Sequence, residues 1–346
     1  IIKQKEEWHN FFITCLCSDR SERNGKTMIL ISKFNKILRP DPKTNEREFF
    51  SSNSIFHNYR YFKVHKELDF NHARKKWLGQ FSSQAEQDEM INMVLNNLLY
   101  IPAAFCEETI SEVWKYHTSI KTNKKNEAVF LVGLSDGARL DLVRSYNEQI
   151  FTFQFSLEFE INESKCNTFM KKMKQSIGTS EIEALNIVLI DEFLASGISF
   201  IRYEAGTWKG KLIKVFNQLI PIFEKYTNNI SISILTYYAT EKGEQYLEKS
   251  LNSYLAEDSC TPISIESVNR VPKAELNIQQ IKIIEKIFNQ HPILDRHYQK
   301  GAVNRPYLGF DESQLMIVFE HNTPNNSLPI IWHKNGIFPR QNRHVI

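Results

Sequence analysis

Ile187-Val188-Leu189-Ile190-Asp191-Glu192-Phe193-Leu194-Ala195-Ser196-Gly197-Ile198-Ser199 is the stretch on which the fold turns. Its first four residues are apolar without alternation, the pattern of a short strand buried on both faces. The strand carries two adjacent carboxylates, Asp191 and Glu192, to its C-terminal end. A small-residue turn, Ala195-Ser196-Gly197, follows, and Ile198-Ser199 reads as the entry to a helix. In open α/β sheets ligands bind at the carboxyl ends of the strands. A helix N-terminus behind a glycine turn offers free N–H groups to a phosphate. One segment thus has the means to hold both ends of a sugar phosphate, with carboxylates on ribose hydroxyls and amides on the 5′-phosphate. The bland alternative is an ordinary strand–turn–helix connection with an exposed acidic pair.

Working outward, strands and helices alternate. Upstream, Ala128-Val129-Phe130-Leu131-Val132-Gly133-Leu134 reads as a strand, then the loop Ser135-Asp136-Gly137-Ala138-Arg139, then an amphipathic helix at 140–146. Residues 149–160 alternate apolar and polar as a half-buried strand does. The charged segment 161–185 includes Lys171, Lys172 and Lys174 and reads as an exposed helix. Downstream, 208–226 reads as a helix, 230–238 as a strand and 241–254 as a helix. Such alternation favours a parallel sheet and an α/β fold class.

The strand, the acid pair and the small-residue turn with Ser196-Gly197 together resemble the ribose-phosphate loop of type I phosphoribosyltransferases. The resemblance implies that Asp191 and Glu192 contact the ribose 2′- and 3′-hydroxyls and form the catalytic pair. It implies that Ala195, Ser196, Gly197 and Ser199 cradle the 5′-phosphate of phosphoribosyl pyrophosphate. In that family a loop after an earlier strand grips pyrophosphate, which would fall to Ser135, Asp136, Gly137 and Arg139. A surface turn is the alternative for that loop. Arg139 beside helix N–H groups suits a polyanion. The sequence departs from the family pattern where Glu192 replaces a second Asp and where Ala195 and Ser196 replace Gly/Thr variants. The implied cofactor is Mg²⁺, held largely by substrate oxygens and waters rather than by a protein cage.

At 346 residues the chain is long enough for two domains of roughly 100–200 residues each. Its 42% hydrophobic and 24% charged content are those of an ordinary folded protein. A net charge of +3 does not demand nucleic acid. The clusters Arg74-Lys75-Lys76, Lys124-Lys125 and Lys171-Lys172 read as solvated faces. Abundant aromatics, 24 Phe and 13 Tyr, argue against long disorder. Cys15, Cys17, Cys106, Cys166 and Cys260 have neither zinc spacing nor a paired framework, and read as reduced thiols. No apolar run approaches the ~18–20 residues that span a bilayer. The expected location is cytoplasmic, without membrane contact, although a chain beginning at Ile1 leaves a removed leader open.

Residues 1–68 yield no clear role. Gly25-Lys26-Thr27 suggests a triphosphate loop, but Arg20 stands where its first glycine belongs. Residues 69–120 read as a helical lobe, with Trp77, Leu78 and Phe81 clustered. Ser82 or Ser83 caps a helix whose apolar face runs from Met90 to Leu99, and Glu86 stands at capping-box distance from Ser83. Residues 121–260 form the α/β core and 261–346 a C-terminal extension packed on it.

The extension carries Gly309-Phe310-Asp311, the strand 315–319, Glu320-His321-Asn322-Thr323-Pro324-Asn325-Asn326-Ser327-Leu328-Pro329, Trp332 and Phe338-Pro339-Arg340. With Trp77-Leu78 and Phe81 it resembles a phosphoribosyltransferase-like group with a C-terminal extension, found in bacterial antiviral-defence operons, some encoding retron reverse transcriptases. Asn325, Asn326 and Arg340 are candidate substrate contacts, while Pro329, Trp332 and Phe338 suit packing. His321 is read as a hydrogen-bonded structural residue. The resemblance implies an enzyme acting on phosphoribosyl pyrophosphate or a nucleotide. Its alternatives are an inactive ligand sensor, or an interaction subunit partnered by other defence-operon proteins or by a reverse transcriptase–nucleic acid complex.

Overall fold

The structure, a computed structural model, describes residues 56, 58–64, 69–104, 106–111, 126–141, 155–158, 162–178, 182–255, 262–301 and 304–339. Along it run the strands β1 (Leu99–Ile101), β2 (Glu127–Gly133), β3 (Phe155–Glu158), β4 (Ala184–Leu194), β5 (Arg202–Glu204), β6 (Thr207–Lys209), β7 (Ile230–Ala239), β8 (Ile263–Arg270) and β9 (Ile317–Phe319). The helices are α1 (Arg60–Val64), α2 (Phe70–Leu78), α3 (Gln84–Asn97), α4 (Glu163–Ile177), α5 (Lys211–Lys214), α6 (Ile220–Phe223), α7 (Glu241–Leu255), α8 (Ile278–Gln290), α9 (Arg296–Gly301) and α10 (Pro329–Trp332). A π-helical turn, Val215–Leu219, joins α5 to α6. Pro221 explains the irregularity, since it lacks the N–H that a regular helix would use there.

Five parallel strands in the order β3-β2-β4-β7-β8 make the central sheet of this α/β protein. The apolar runs of β2 and β4 are buried on both faces. Phe130, Val132, Ile187 and Leu189 join the core on one face, with Cys166, Phe169, Met170 and Met173 of α4, Leu212 of α5 and Leu247 of α7. Val129, Leu131, Val188 and Ile190 join the core on the other, with Leu99 and Ile101 of β1 and Ile317 and Phe319 of β9. Here β1 pairs parallel with β9, Leu99 opposite Ile317. A third core beyond that strand pair combines Phe56, Phe70, Trp77 and Val94 with Ile284, Phe310, Ile331 and Phe338.

The chain runs from β2 outward to β3, returns past β2 to β4, and continues to β7 and β8. The loops leaving β2 and β4 therefore diverge, opening a crevice at the carboxyl ends of these neighbouring strands.

Several local expectations change. The helix expected at Ile198 is a turn, closed by Phe200 N–H donating to Gly197 O at 2.9 Å. An antiparallel hairpin of β5 and β6 follows, and α5 begins only at Lys211. Ala205 and Gly206, both with positive φ, make the two-residue hairpin turn whose twist suits the flanking strands. Within the lobe, α3 stops before Leu98, and Leu99 opens β1 instead of extending the helix face. Ser83 caps α3 by accepting from Glu86 N–H at 3.2 Å, while the Glu86 carboxylate accepts from Ser82 N–H at 2.8 Å. Past residue 260, β8 is the edge strand of the central sheet. The charged segment around Lys171 is α4, whose Lys174 ammonium lies 5.2 Å over the Tyr226 ring. Residues 1–55, residues 142–146 of the helix read at 140–146 and the greater part of the strand read at 149–160 lie outside the described residues.

Candidate functional site

β2 ends at Gly133, opposite Ile190, while β4 continues along β7 from Asp191 to Leu194. At Asp191 one edge of β4 consequently faces the loop leaving β2. Leu134 N–H holds that loop by donating to Ile190 O at 2.7 Å. Asp191 is only 3% exposed, and three donors compensate its burial. Ser135 Oγ donates to Oδ1, Glu192 N–H donates to Oδ1 at 2.9 Å, and Lys211 Nζ donates to Oδ2. The Lys211 ammonium also lies 5.2 Å from the Phe200 ring centre.

Glu192 sits between the β2 loop and the extension. A Cβ built on Gly137 would lie 3.2 Å from both Glu192 Cβ and Glu192 Oε2, so glycine permits this approach. Tyr237 Oη anchors the Asp136–Ala138 turn by donating to Ala138 O at 2.9 Å. Arg139, at positive φ, places Nε 3.4 Å from Asp141 Oδ1. From the other side, His321 Nε2 lies 3.2 Å from Glu192 Oε2.

The third component is the turn after β4. Ala195, Ser196 and Gly197 are buried and Ser199 is exposed. Among the described residues no hydrogen bond engages the N–H groups of Ser196, Gly197, Ile198 or Ser199. The start of α7 supports the turn from behind. Thr240 Oγ1 donates to Ala195 O and accepts from Gly243 N–H at 2.9 Å. A side chain on Gly243 would run into the carbonyls of Leu194 and Ala195, and one on Gly197 would meet Tyr246 Cδ1 at 2.7 Å.

Ser135, Gly137, Asp191 and Glu192 thus converge directly, with Ser196 and Gly197 in the turn that follows the same strand. Arg139 pairs outward with Asp141, and the Asp136 side chain lies outside the described set. Asn326 is spent within the extension, donating to Phe310 O at 3.3 Å and Ser313 Oγ at 3.0 Å. Asn325 contributes its carbonyl to Phe310 N–H at 3.0 Å. Arg340 lies outside the described residues. Trp332 and Phe338 are buried in the third core, and Pro329 is buried at the start of α10.

The sequence missed Lys211 altogether, and for His321, read as a hydrogen-bonded structural residue, it gave no partner. Lys211 reaches Asp191 from beyond a hairpin that looked like helix, and His321 reaches Glu192 from the extension. The one signal available for His321 was its place inside a recurring extension motif. Near the pair, burial first and the Glu192 charge second push the Cys106 thiol up to about 12, which keeps it protonated. Cys106 and Cys166 are buried and form no disulfide among the described residues, while Cys15, Cys17 and Cys260 lie outside the described residues. Among the described residues no helix is long and apolar enough to cross a membrane.

No curated protein matches this sequence. One solved structure with a match is that of the AQ2163 protein from Aquifex aeolicus, at 13% identity, covering 61% of this chain and 86% of that one. Its TM-score of 0.24 is too low for it to bear on the fold. The PRTase-CE family model matches residues 74–340, which takes in the lobe, the sheet and the extension. This chain belongs to the PRTase-CE family, a phosphoribosyltransferase-like family.

Proposed function

We propose that the crevice at the ends of β2 and β4 binds phosphoribosyl pyrophosphate, or a related ribosyl phosphate, together with Mg²⁺. The observation that carries this reading is the meeting of the β2 loop with the acid pair, Ser135 on Asp191 and Gly137 against Glu192. The acids accept the ribose hydroxyls. The unengaged amides of Ser196, Gly197, Ile198 and Ser199, with the two serine hydroxyls, take the 5′-phosphate. Ser135 and Gly137 take the pyrophosphate end, with Asp136 in the same loop, and Arg139 joins them by leaving Asp141.

Both oxygens of Asp191 and Oε2 of Glu192 already meet protein donors. That donor set fits Mg²⁺ only as an ion carried by diphosphate oxygens and water. When bound, Mg²⁺ would neutralise charge on the departing pyrophosphate. The chain's own residues hold the two ends of the sugar phosphate and so orient the anomeric carbon. An oxocarbenium-like transition state asks for little covalent machinery, and fixed geometry and electrostatics supply the rest. The setting we propose is bacterial antiviral defence, with operon partners or a reverse transcriptase–nucleic acid complex. It rests on the likeness of the extension alone.

A second reading, ligand binding without turnover, draws on Lys211. Its ammonium already satisfies Asp191, so an arriving ribose hydroxyl has to share or displace it. Isothermal titration with phosphoribosyl pyrophosphate, with and without Mg²⁺, tests both readings. Saturable Mg²⁺-dependent binding, lost in Asp191→Asn/Glu192→Gln, is the expected result. Absence of binding at millimolar ligand would refute both, while binding without pyrophosphate release across a panel of nucleobases would select the second.

A further inference from the structure

We infer that His321, delivered by the C-terminal extension, is a positioning residue of this site that fixes the Glu192 carboxylate for the ribose hydroxyls. The inference rests on the ribosyl-phosphate reading and assigns the extension a part in it. A glutamate has one more rotatable bond than an aspartate, and that freedom must be removed before its carboxylate can serve as a fixed acceptor. His321 removes it here. Its Nε2 meets Oε2 at 3.2 Å, and Gly137 leaves the carboxylate its place, since a Cβ there would stand 3.2 Å from Cβ and Oε2 of Glu192. Because an ionised carboxylate only accepts, the imidazole donates from Nε2. Oε1 is left to face the ligand.

His321 is itself aimed by the rest of the molecule. Its ring lies against Phe319, with centroids 5.7 Å apart and planes at 29°. Phe319 is held by Phe193 at 5.7 Å and Tyr238 at 5.2 Å. Phe319 N–H donates to Asn322 O at 2.9 Å and Asn322 N–H donates to Phe319 O at 3.0 Å, closing the turn that carries the histidine. The intervening Glu320 is tied to the N-terminal lobe. Its carbonyl accepts from Arg60 N–H at 2.7 Å, its N–H donates to Ile101 O at 2.8 Å, and its carboxylate accepts from Ala103 N–H at 2.9 Å. Lobe and extension thus grip one residue so that the next is turned onto the acid. The pair remains reachable from the crevice, with side-chain exposures of 28% for His321 and 13% for Glu192.

The test is isothermal titration of the full chain, in the presence of Mg²⁺, with phosphoribosyl pyrophosphate and separately with inorganic pyrophosphate. The proteins are wild type, His321→Ala, His321→Gln, Glu192→Gln and the His321→Ala/Glu192→Gln double variant. A charge-assisted hydrogen bond predicts about tenfold weaker phosphoribosyl pyrophosphate binding in His321→Ala, with pyrophosphate affinity unchanged. His321→Gln, which keeps an N–H donor, regains most of the loss. In the Glu192→Gln background, His321→Ala adds nothing further. If His321→Ala binds phosphoribosyl pyrophosphate like wild type while Glu192→Gln loses it, this inference falls and the ribosyl-phosphate reading stands. Equal losses for both ligands, with a lowered melting temperature, would make His321 a merely structural residue and overturn the inference. A wild-type protein that binds no phosphoribosyl pyrophosphate overturns the reading and the inference together.

Discussion

At Gly197 the backbone takes φ +77°, and a Cβ there would stand 2.7 Å from Tyr246 Cδ1 and 3.0 Å from Gly243 O. Gly206 has nearly the same φ, +78°, with nothing within 4 Å of its virtual Cβ. The two glycines therefore separate conformation from crowding. Gly206→Ala is expected to cost about 1–2 kcal/mol, the left-handed penalty alone. Gly197→Ala should cost distinctly more in urea unfolding, because the turn after β4 must move off α7, and on the proposed reading it should also weaken ribosyl-phosphate binding. Equal losses for the two would show that the turn yields without strain. Lys211→Ala probes the other key contact. It leaves the buried Asp191 to a hydroxyl and an amide, so stability falls. The 30% exposure of the lysine keeps that fall below the ~3–5 kcal/mol of a fully buried pair. Asp191, Glu192 and the turn were legible because strand, acids and small residues are contiguous. Their partners Lys211 and His321 were not, because the contacts join positions 20 and 129 residues apart and nothing local pairs the two ends.

Among the elements, legibility follows how local the determinants are. β4 and β7 announce themselves, since strands buried on both faces must be apolar throughout. β1 does not. Its three residues continue the apolar face of α3 without a break, and they become a strand only because β9 lies beside them. The hairpin of β5 and β6 looked like the start of a helix until its positive-φ pair appeared. The short α10 carries a pH-sensitive neighbour at its end. Burial pushes the His333 imidazole below its usual range, against an opposing hydrogen bond with the His291 backbone, and the nearby His291 and Lys334 add to the lowering. The unfolded chain therefore takes up this proton more readily than the folded one. The corresponding stability is complete above about pH 6.5 and is lost as pH falls through the lower folded value. Melting temperatures should decline between about pH 7 and pH 5, and His333→Gln should flatten that decline. Glu86 and Glu312, both lowered by hydrogen-bonded cationic partners, add their losses only in stronger acid. Glu244, raised by burial, acts in the opposite sense, its contribution fading as pH rises. A His333→Gln profile parallel to wild type would remove His333 from this role.

At the scale of the whole molecule, chain order misleads. Lobe and extension are far apart in sequence, yet they share one core. The sheet of β1 and β9 draws one strand from each and seals a face of the central sheet. Phe338, fully buried, sits at the centre of the shared core, its ring 5.4 Å from Phe56, 5.6 Å from Tyr59, 5.7 Å from Phe70 and 5.9 Å from Tyr100. Trp77 Nε1 donates to Ile330 O at 3.0 Å and ties α2 to the same unit. Neither half can bury these faces alone, so the lobe should not unfold without the extension. Phe338→Ala is expected to destabilise by about 3–5 kcal/mol, through lost transfer energy and the cavity left behind. Native-state hydrogen exchange then decides how far the loss spreads. If β1 and β9 couple the lobe to the sheet, amides in α3 and in β4 lose protection by the same free energy. Protection lost in α3 alone would make lobe and extension a separable unit. In that case the turn carrying His321 would loosen in Phe338→Ala while the acid pair on β4 stayed folded.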